Sequence, residues 1–409
     1  MSGRIIIKSL PIATQLKHRG AKKLLEADRA RIRKLMDGVS PHGPKVIHDK
    51  GLRASVLAKK PFSTNEATSI DVTDASVTYT MEVGVGSPAT KYTLLIDTGS
   101  SNTWVGADKK YKKTKTSKDT GKTIQVSYGS GQFSGEEYTD TVDLGNGLVI
   151  EKQGLGVAHR AEGFNGVDGI LGIGPVDLTE GTVKGGKPVP TVTDNLFEQG
   201  TIPSNSIGIS YVPTTSDSPD SEVLVNGELT FGGLDSDKYS GEITFAPITS
   251  TSPASNYWGI DQKVTYGDDT LILDTTAGIV DTGTTLIYLA SDAFSAYQQA
   301  TGASLDESTG LLKLTSDQYD NLQSLFFEIN GTTFELTKNA QIWPRSLNST
   351  LGGDEDAIYL VAADNGTDSG SGLDFINGFT WLQRFYTVFD TTNAQVGVAN
   401  TEFTDAETN

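Results

Sequence analysis

The sequence predicts a mainly β chain of two related lobes behind a basic N-terminal arm. Three observations carry that prediction. The stretches LLIDTGSSNTWV (94–105) and GIVDTGTTLIYL (278–289) repeat one phrase, 184 positions apart (281 − 97). Each has two apolar residues, then Asp-Thr-Gly, then two hydroxyl residues. After Val77, short β-rich runs are separated by Gly, Asp, Asn and Ser clusters nearly to the C-terminus, within a chain that holds 45 glycines. Charge is segregated: residues 1–60 contain 15 Lys/Arg and 4 Asp/Glu (+11), and the remainder contains 18 and 47 (−29).

A length of 409 residues suggests two or three units, and 36% hydrophobic content is enough for a core. No apolar run approaches the roughly 18–20 residues of a membrane span. Cysteine is absent, which removes disulfides, thiolate metal sites and a cysteine nucleophile together. That absence leans weakly toward a reducing compartment. Histidine is confined to His18, His42, His48 and His159. Beyond residue 50 only His159 remains, in a polar stretch that reads as an ordinary surface loop. A histidine-rich zinc site is excluded, and a Ser–His–Asp hydrolase would rest on that one residue.

The elements follow in order. Residues 20–37, GAKKLLEADRARIRKLMD, predict a basic amphipathic helix with Leu24, Leu25, Ile32 and Leu35 near helical spacing. Asp28 interrupts that stripe, so a shallow apolar face is expected. From Gly38 to about Ser69 the chain reads as an exposed linker open to cleavage. VTYTMEVGV alternates with period two and opens the β region. Short helices are expected at 191–200, 291–302 and 315–325, each near a hydroxyl or Asp cap. The expected division is a basic segment over 1–65, an N-terminal β lobe over 66–240 and a C-terminal β lobe over 241–409.

A single Asp-Thr-Gly is a weak motif, and its bland reading is a turn after a strand. Two copies in matching places of two half-chains point to a site. An apolar run feeding an Asp sets a carboxylate at the end of a buried strand, and Gly99 and Gly283 let the backbone bend there. If the lobes face each other, Asp97 and Asp281 meet. Two carboxylates at about 3 Å share one proton, so one serves as base and the other as acid toward a water held between them. Peptide hydrolysis needs that pair of events and no metal, histidine or covalent nucleophile. Thr98, Gly99, Ser100, Thr282, Gly283 and Thr284 are the support residues, with the Ser100 and Thr284 hydroxyls placed to donate to the outer carboxylate oxygens. VSYGSGQFSG (126–135) predicts a hairpin whose tip covers the cleft, with Tyr128 as an apolar ring bearing a hydroxyl.

These stretches, with DGILGIGP, FINGFTWLQRFYTVFDTTNAQVGVA and their order, resemble the pepsin-like aspartic proteases, in particular the basidiomycete polyporopepsin group. The match runs from about Val77 to Phe403. The resemblance implies the bilobal pepsin-like aspartic protease fold, with Asp97 and Asp281 as the catalytic pair. It implies that Tyr128 is the flap tyrosine, hydrogen-bonded to Trp104, and that Gly129, Ser130 and Gly131 form a flap tip touching substrate. It implies that Ile170, Leu171 and Gly172, and Ile376, Asn377 and Gly378, support the catalytic loops. Asn377 stands where the family has leucine. Ser130, where some relatives carry an acidic residue, implies a preference for bulky apolar side chains.

The arm IIIKSLPIATQLKHRGAKKLLEADRARIRKL is similar to an inhibitory pro-segment. Opposite charge would hold it on the acidic body and acid would release it, with processing between about Lys59 and Ser69. The resemblance implies that a lysine blocks the cleft, and the sequence does not identify which. A nucleic-acid-binding arm is the alternative. The expected partners are protein or peptide substrates and the chain's own pro-segment, with no nucleic acid, membrane, metal or cofactor, in a monomer. Residues 1–16 offer no signal peptide. Extracellular localisation is expected nonetheless, with the vacuolar lumen as alternative. Asn330, Asn348 and Asn365 are candidate N-glycosylation sites. Two other readings compete. A glycosidase also uses two carboxylates, although usually in dissimilar surroundings, and a silent pepsin-like binding protein would have lost one of the site residues.

Overall fold

The computed structural model describes residues 8–15, 20–37, 78–129, 131–213 and 223–409. Three sheets carry the architecture. One has thirteen strands, one seven and one three. The first Asp-Thr-Gly leaves a strand of the large sheet and the second leaves a strand of the seven-stranded sheet. The expected boundary near residue 240 is not a clean cut. Strands Phe385–Asp390 and Gln395–Asn400 return from the far end of the chain to pair with Ser206–Tyr211 and Ser240–Pro247. The large sheet therefore binds chain from both halves.

The strand Thr90–Asp97 shows why an aspartate arrives where it does. Tyr92, Leu94 and Ile96 point into the core at period two, and Asp97 ends the run with no exposed surface. Thr78–Val85 beside it departs from the expected alternation. Only Glu82 is exposed between Tyr79 and Val85. The reason is tertiary: the strand pairs with Thr90–Asp97, with part of Gln132–Gly145 and with an N-terminal strand, β1 (Lys8–Gln15), and both of its faces are covered.

The helix expected in the arm is present as α1 (Ala21–Met36). Its apolar face is not shallow. Leu24, Leu25, Ile32 and Leu35 are all buried within the main hydrophobic core of the body, while Lys22, Lys23 and Arg33 are exposed. The described part of the arm is thus held by apolar packing and a few specific polar contacts. The linker expected over 38–69 lies outside the described residues.

Two of the three expected short helices begin at capping boxes. Val192–Glu198 begins at a capping box made by Thr191 and Asp194. Ser291–Thr301 begins without a side-chain cap, after Ala290, and stops at left-handed Gly302. The third helix is only Ser316–Asp320, and Leu325–Ile329 beyond it is a strand paired with Gly259–Tyr266 and Thr332–Leu336. Strand pairing there overrides the helical pattern of 315–325.

Candidate active site

Asp97 and Asp281 meet at the junction of the two sheets, both with no exposed surface. The loops carrying them are locked reciprocally. Thr98 N donates to Thr282 Oγ1 at 3.0 Å, and Thr282 N donates to Thr98 Oγ1 at 2.9 Å. Each threonine hydroxyl then donates across to the other loop's incoming strand, Thr98 to Val280 O and Thr282 to Ile96 O. Ser100 Oγ donates to Asp97 Oδ2 at 2.5 Å, and Thr284 Oγ1 to Asp281 Oδ2 at 2.6 Å. The inner oxygens accept from Gly99 N at 3.0 Å and Gly283 N at 3.2 Å. Oriented donors of this kind hold each carboxylate in one rotamer.

The two glycines are required by close approach. A Cβ on Gly99 would lie 2.8 Å from Asp281 Oδ1, and one on Gly283 would lie 2.8 Å from Asp97 Oδ1. Each lobe leaves space for the other lobe's carboxylate. Beneath the loops, Leu94–Asp97 runs parallel to Gly169–Gly172, and Ile279–Val280 runs parallel to Ile376–Asn377. Gly172 and Gly378 pack directly on the backbone of the catalytic loops, where any side chain would collide.

Asn377 has a physical explanation in Gln262. Both side chains are buried. Asn377 Nδ2 donates to Gln262 Oε1 at 2.8 Å, and Gln262 Nε2 donates back to Asn377 Oδ1 at 3.3 Å. A reciprocal amide pair satisfies in a dry layer what a lone asparagine could not. Sequence reasoning missed Gln262 because nothing in QKVTY marks its partner 115 positions away.

The hairpin expected over 126–135 forms from Lys118–Ser127 and Gln132–Gly145, with Ser127 paired to Gln132. Tyr128 N donates to Gly131 O at 2.7 Å across the tip. Trp104 Nε1 donates to the Tyr128 hydroxyl at 2.9 Å, and Phe133 stacks on the Trp104 ring. Burial holds the Tyr128 phenol protonated far above its usual range, with the Asp97 charge adding to this. Ser130 lies outside the described residues.

The cleft between flap and dyad is filled by α1. Arg31 Nε donates to Asp281 Oδ2 at 2.7 Å, and its Nη2 donates to Asp281 Oδ1 at 2.9 Å and Asp97 Oδ1 at 2.5 Å. One guanidinium therefore satisfies both carboxylates, two-pronged on one and single on the other. The flap tip lies on the helix, so closely that a Cβ on Gly129 would overlap the Arg31 backbone. Burial alone would raise the Asp281 carboxyl. The Arg31 charge and hydrogen bonds, with those of Thr284 and Gly283, outweigh burial and hold it below the usual aspartate range. The same pair of carboxylates overrides the desolvation of Arg31 and raises its proton affinity further. The basic residue on the two carboxylates is an arginine, where the resemblance implied a lysine.

Arg31 was legible only in part. Leu24, Asp28, Arg31 and Leu35 lie at i, i+4, i+7 and i+11, which is one helix face. Two ionisable residues within an apolar stripe were the available signal.

Other expected positions resolve plainly. His159 is an exposed side chain 3.6 Å from Glu136. Asn348 and Asn365 are buried, and their Nδ2 groups donate to backbone carbonyls. A glycan on either is incompatible with this fold. Asn330 is exposed in a turn, its Nδ2 donating to Phe245 O. Among the described residues no cluster of His, Cys, Asp or Glu could hold a metal, and no helix is long and apolar enough to cross a membrane.

Two carboxylates converge here from matching loops, under a flap carrying Tyr128. Residues 78–401 match the eukaryotic aspartyl protease family, and the chain belongs to that family. It is 62% identical to polyporopepsin from Irpex lacteus over 345 residues, covering 84% of this chain and 100% of the relative. It is 36% identical to rhizopuspepsin-1 from Rhizopus niveus, over 68% of this chain and 70% of the relative. The crystal structure of the aspartic proteinase from Irpex lacteus superposes with a TM-score of 0.78 at 63% identity, covering 81% of this chain and 96% of that one. The protein is an aspartic endopeptidase, a hydrolase acting on protein or peptide substrates. The glycosidase alternative falls with that assignment.

Proposed function

We propose that the full chain is the inactive precursor of a secreted acid endopeptidase, whose dyad is held shut by Arg31 until acid releases α1. The observation that carries this is the single guanidinium shared by Asp97 and Asp281. Its Nη2 sits where the two inner carboxylate oxygens converge. When α1 leaves, a water takes that position. One carboxylate removes a proton from the water as its oxygen attacks the scissile carbonyl carbon. The other, protonated, gives its proton to the carbonyl oxygen. Collapse of the tetrahedral intermediate breaks the C–N bond, and the departing amine takes up a proton. The flap, with Tyr128 tied to Trp104, excludes bulk water, and bulky apolar side chains fit the cleft walls best.

The sign of the acid trigger follows from Asp281. Its carboxyl is lowered while α1 is docked, so it stabilises docking above the ordinary aspartate range. That contribution is lost as the pH falls through the lowered value. The test is acid processing of the full chain, followed by hydrolysis of an unfolded protein with and without pepstatin. Arg31→Ala should process at higher pH than the parent, because two buried carboxylates are left without their cation. Hydrolysis that survives in Asp281→Asn, or an Arg31→Ala chain that processes like the parent, overturns the proposal.

A further inference from the structure

Asp28 belongs to no catalytic group, yet it lies fully within the protein, one turn of α1 before Arg31. Its side chain has 3% of its surface exposed. The hydrogen bond it accepts from Thr285 N is long, at 3.3 Å, and the Tyr288 hydroxyl stands beside the carboxyl. Other charges face this spot from every side. Arg29 and Arg31 come from α1, Asp281 from its own loop, and Asp364 from the strand Ala362–Asp364. Arg31 does not form an ion pair with Asp28, since its guanidinium is spent on the dyad. Nature could have placed a leucine on this face, as it did at positions 24 and 35. A buried carboxyl served by one long N–H and a phenol is far better accommodated neutral than charged.

We propose that Asp28 is a second proton switch on the arm, opposed in sign to the dyad, so that α1 docks most tightly in mildly acidic solution and loosens toward neutral and alkaline pH. This rests on the reading of α1 as the inhibitory arm. Burial is the main cause that raises the docked Asp28 carboxyl to about 7, assisted by the Asp281 charge and opposed by Thr285 N–H, Tyr288 and Arg31. Once released into water the same group is an ordinary aspartate, near 3.9. Docking therefore takes up a proton between those two values. Above about pH 7 docking carries the whole cost of burying a charge there, and that cost disappears as the solution is acidified toward pH 4. The dyad works in reverse, because Arg31 binds carboxylates and loses them on protonation. The two switches bracket a window. The precursor is closed most firmly at mild acidity and opens only on stronger acidification, which sharpens the trigger. Enclosure by the body and the Asp281 charge favour the neutral form against the Thr285 and Tyr288 donors, so the device is divided between arm and body.

Amide hydrogen exchange of the intact full chain reads the arm directly. Peptides covering residues 21–36 are followed between pH 5.5 and 8, with exchange corrected for its intrinsic pH dependence. The two Asp28 values set the expected change: protection about 30-fold higher at pH 5.5 than at pH 8. Asp28→Asn keeps shape without charge, and its arm should stay protected at pH 8 with less than about a threefold change across the range. Asp28→Ser, a second neutral side chain, guards against a variant that folds poorly. Body peptides covering 385–400 should show no matching slope. The proposal is overturned if the parent's arm is flat or loosens toward pH 5.5. It is equally overturned if the neutral variants keep the slope, or if the body peptides share it. Failure of the protease reading would show elsewhere, as absent peptide hydrolysis after acid treatment.

Discussion

The two catalytic loops are alike where they touch the chemistry and unlike one layer beneath it. Around Asp97 and Asp281 each contact made by the loops themselves has its counterpart: glycine N–H to the inner oxygen, hydroxyl to the outer oxygen, threonine to threonine across the junction. Below, the N-terminal loop rests on buried, apolar Leu171, and the C-terminal loop on Asn377 paired with Gln262. The difference separates two demands. A shared proton needs electrostatic equality at the carboxylates. The support layer needs only to be filled and satisfied, and either an apolar residue or a closed amide pair does that.

The largest effect should come from breaking equality at the centre. Asp97→Asn and Asp281→Asn each lose the base or the acid, and kcat of the processed enzyme should fall by about 10³-fold or more in both. Markedly unequal losses would show that the two carboxylates are not equivalent partners. Next in size is the support layer. Leu171→Asn buries an amide with no partner and should lower unfolding free energy by roughly 2–3 kcal/mol in urea titration. Asn377→Leu strands the Gln262 amide and should cost about 1–3 kcal/mol. Adding Gln262→Leu to Asn377→Leu should recover most of that loss. A double variant no more stable than the single would mean the amide pair contributes more than mutual satisfaction.

A smaller effect is expected from the loop lock. Thr98→Val and Thr282→Val each leave one opposite backbone N–H without its acceptor, at a cost of about 1–2 kcal/mol. The two values should agree within error, because the lock is reciprocal. The smallest effect concerns the outer oxygens. Thr284→Ala removes a donor that helps lower the Asp281 carboxyl, so that carboxyl ionises less readily. The acid limb of the activity profile should move to higher pH. A limb that moves down instead would mean this hydroxyl stabilises the protonated form.

Much of this was legible in the sequence because it is local and repeated. Apolar runs ending in Asp-Thr-Gly announced two buried strands delivering two carboxylates, and near-identical flanks announced that they belong together. The serine and threonine donors follow from spacing, since a hydroxyl three residues after an aspartate can reach back to it. The arm showed its helix and its charge, but its docking was misread. Excess positive charge suggested diffuse attraction, whereas the structure buries the apolar stripe and spends one arginine on the dyad.

Sequence alone therefore determined the strands, the loop chemistry and the pairing of Asp97 with Asp281, because hydrophobic period and backbone flexibility are written in neighbouring residues. Tertiary structure decided which basic side chain reaches the carboxylates, that Asp28 is enclosed, that Asn377 has an amide to answer it, and that two sequons are buried. The first three of those outcomes depend on contacts between residues 66 to 257 positions apart. Burial and partner geometry at such distances arise only when the whole chain has packed.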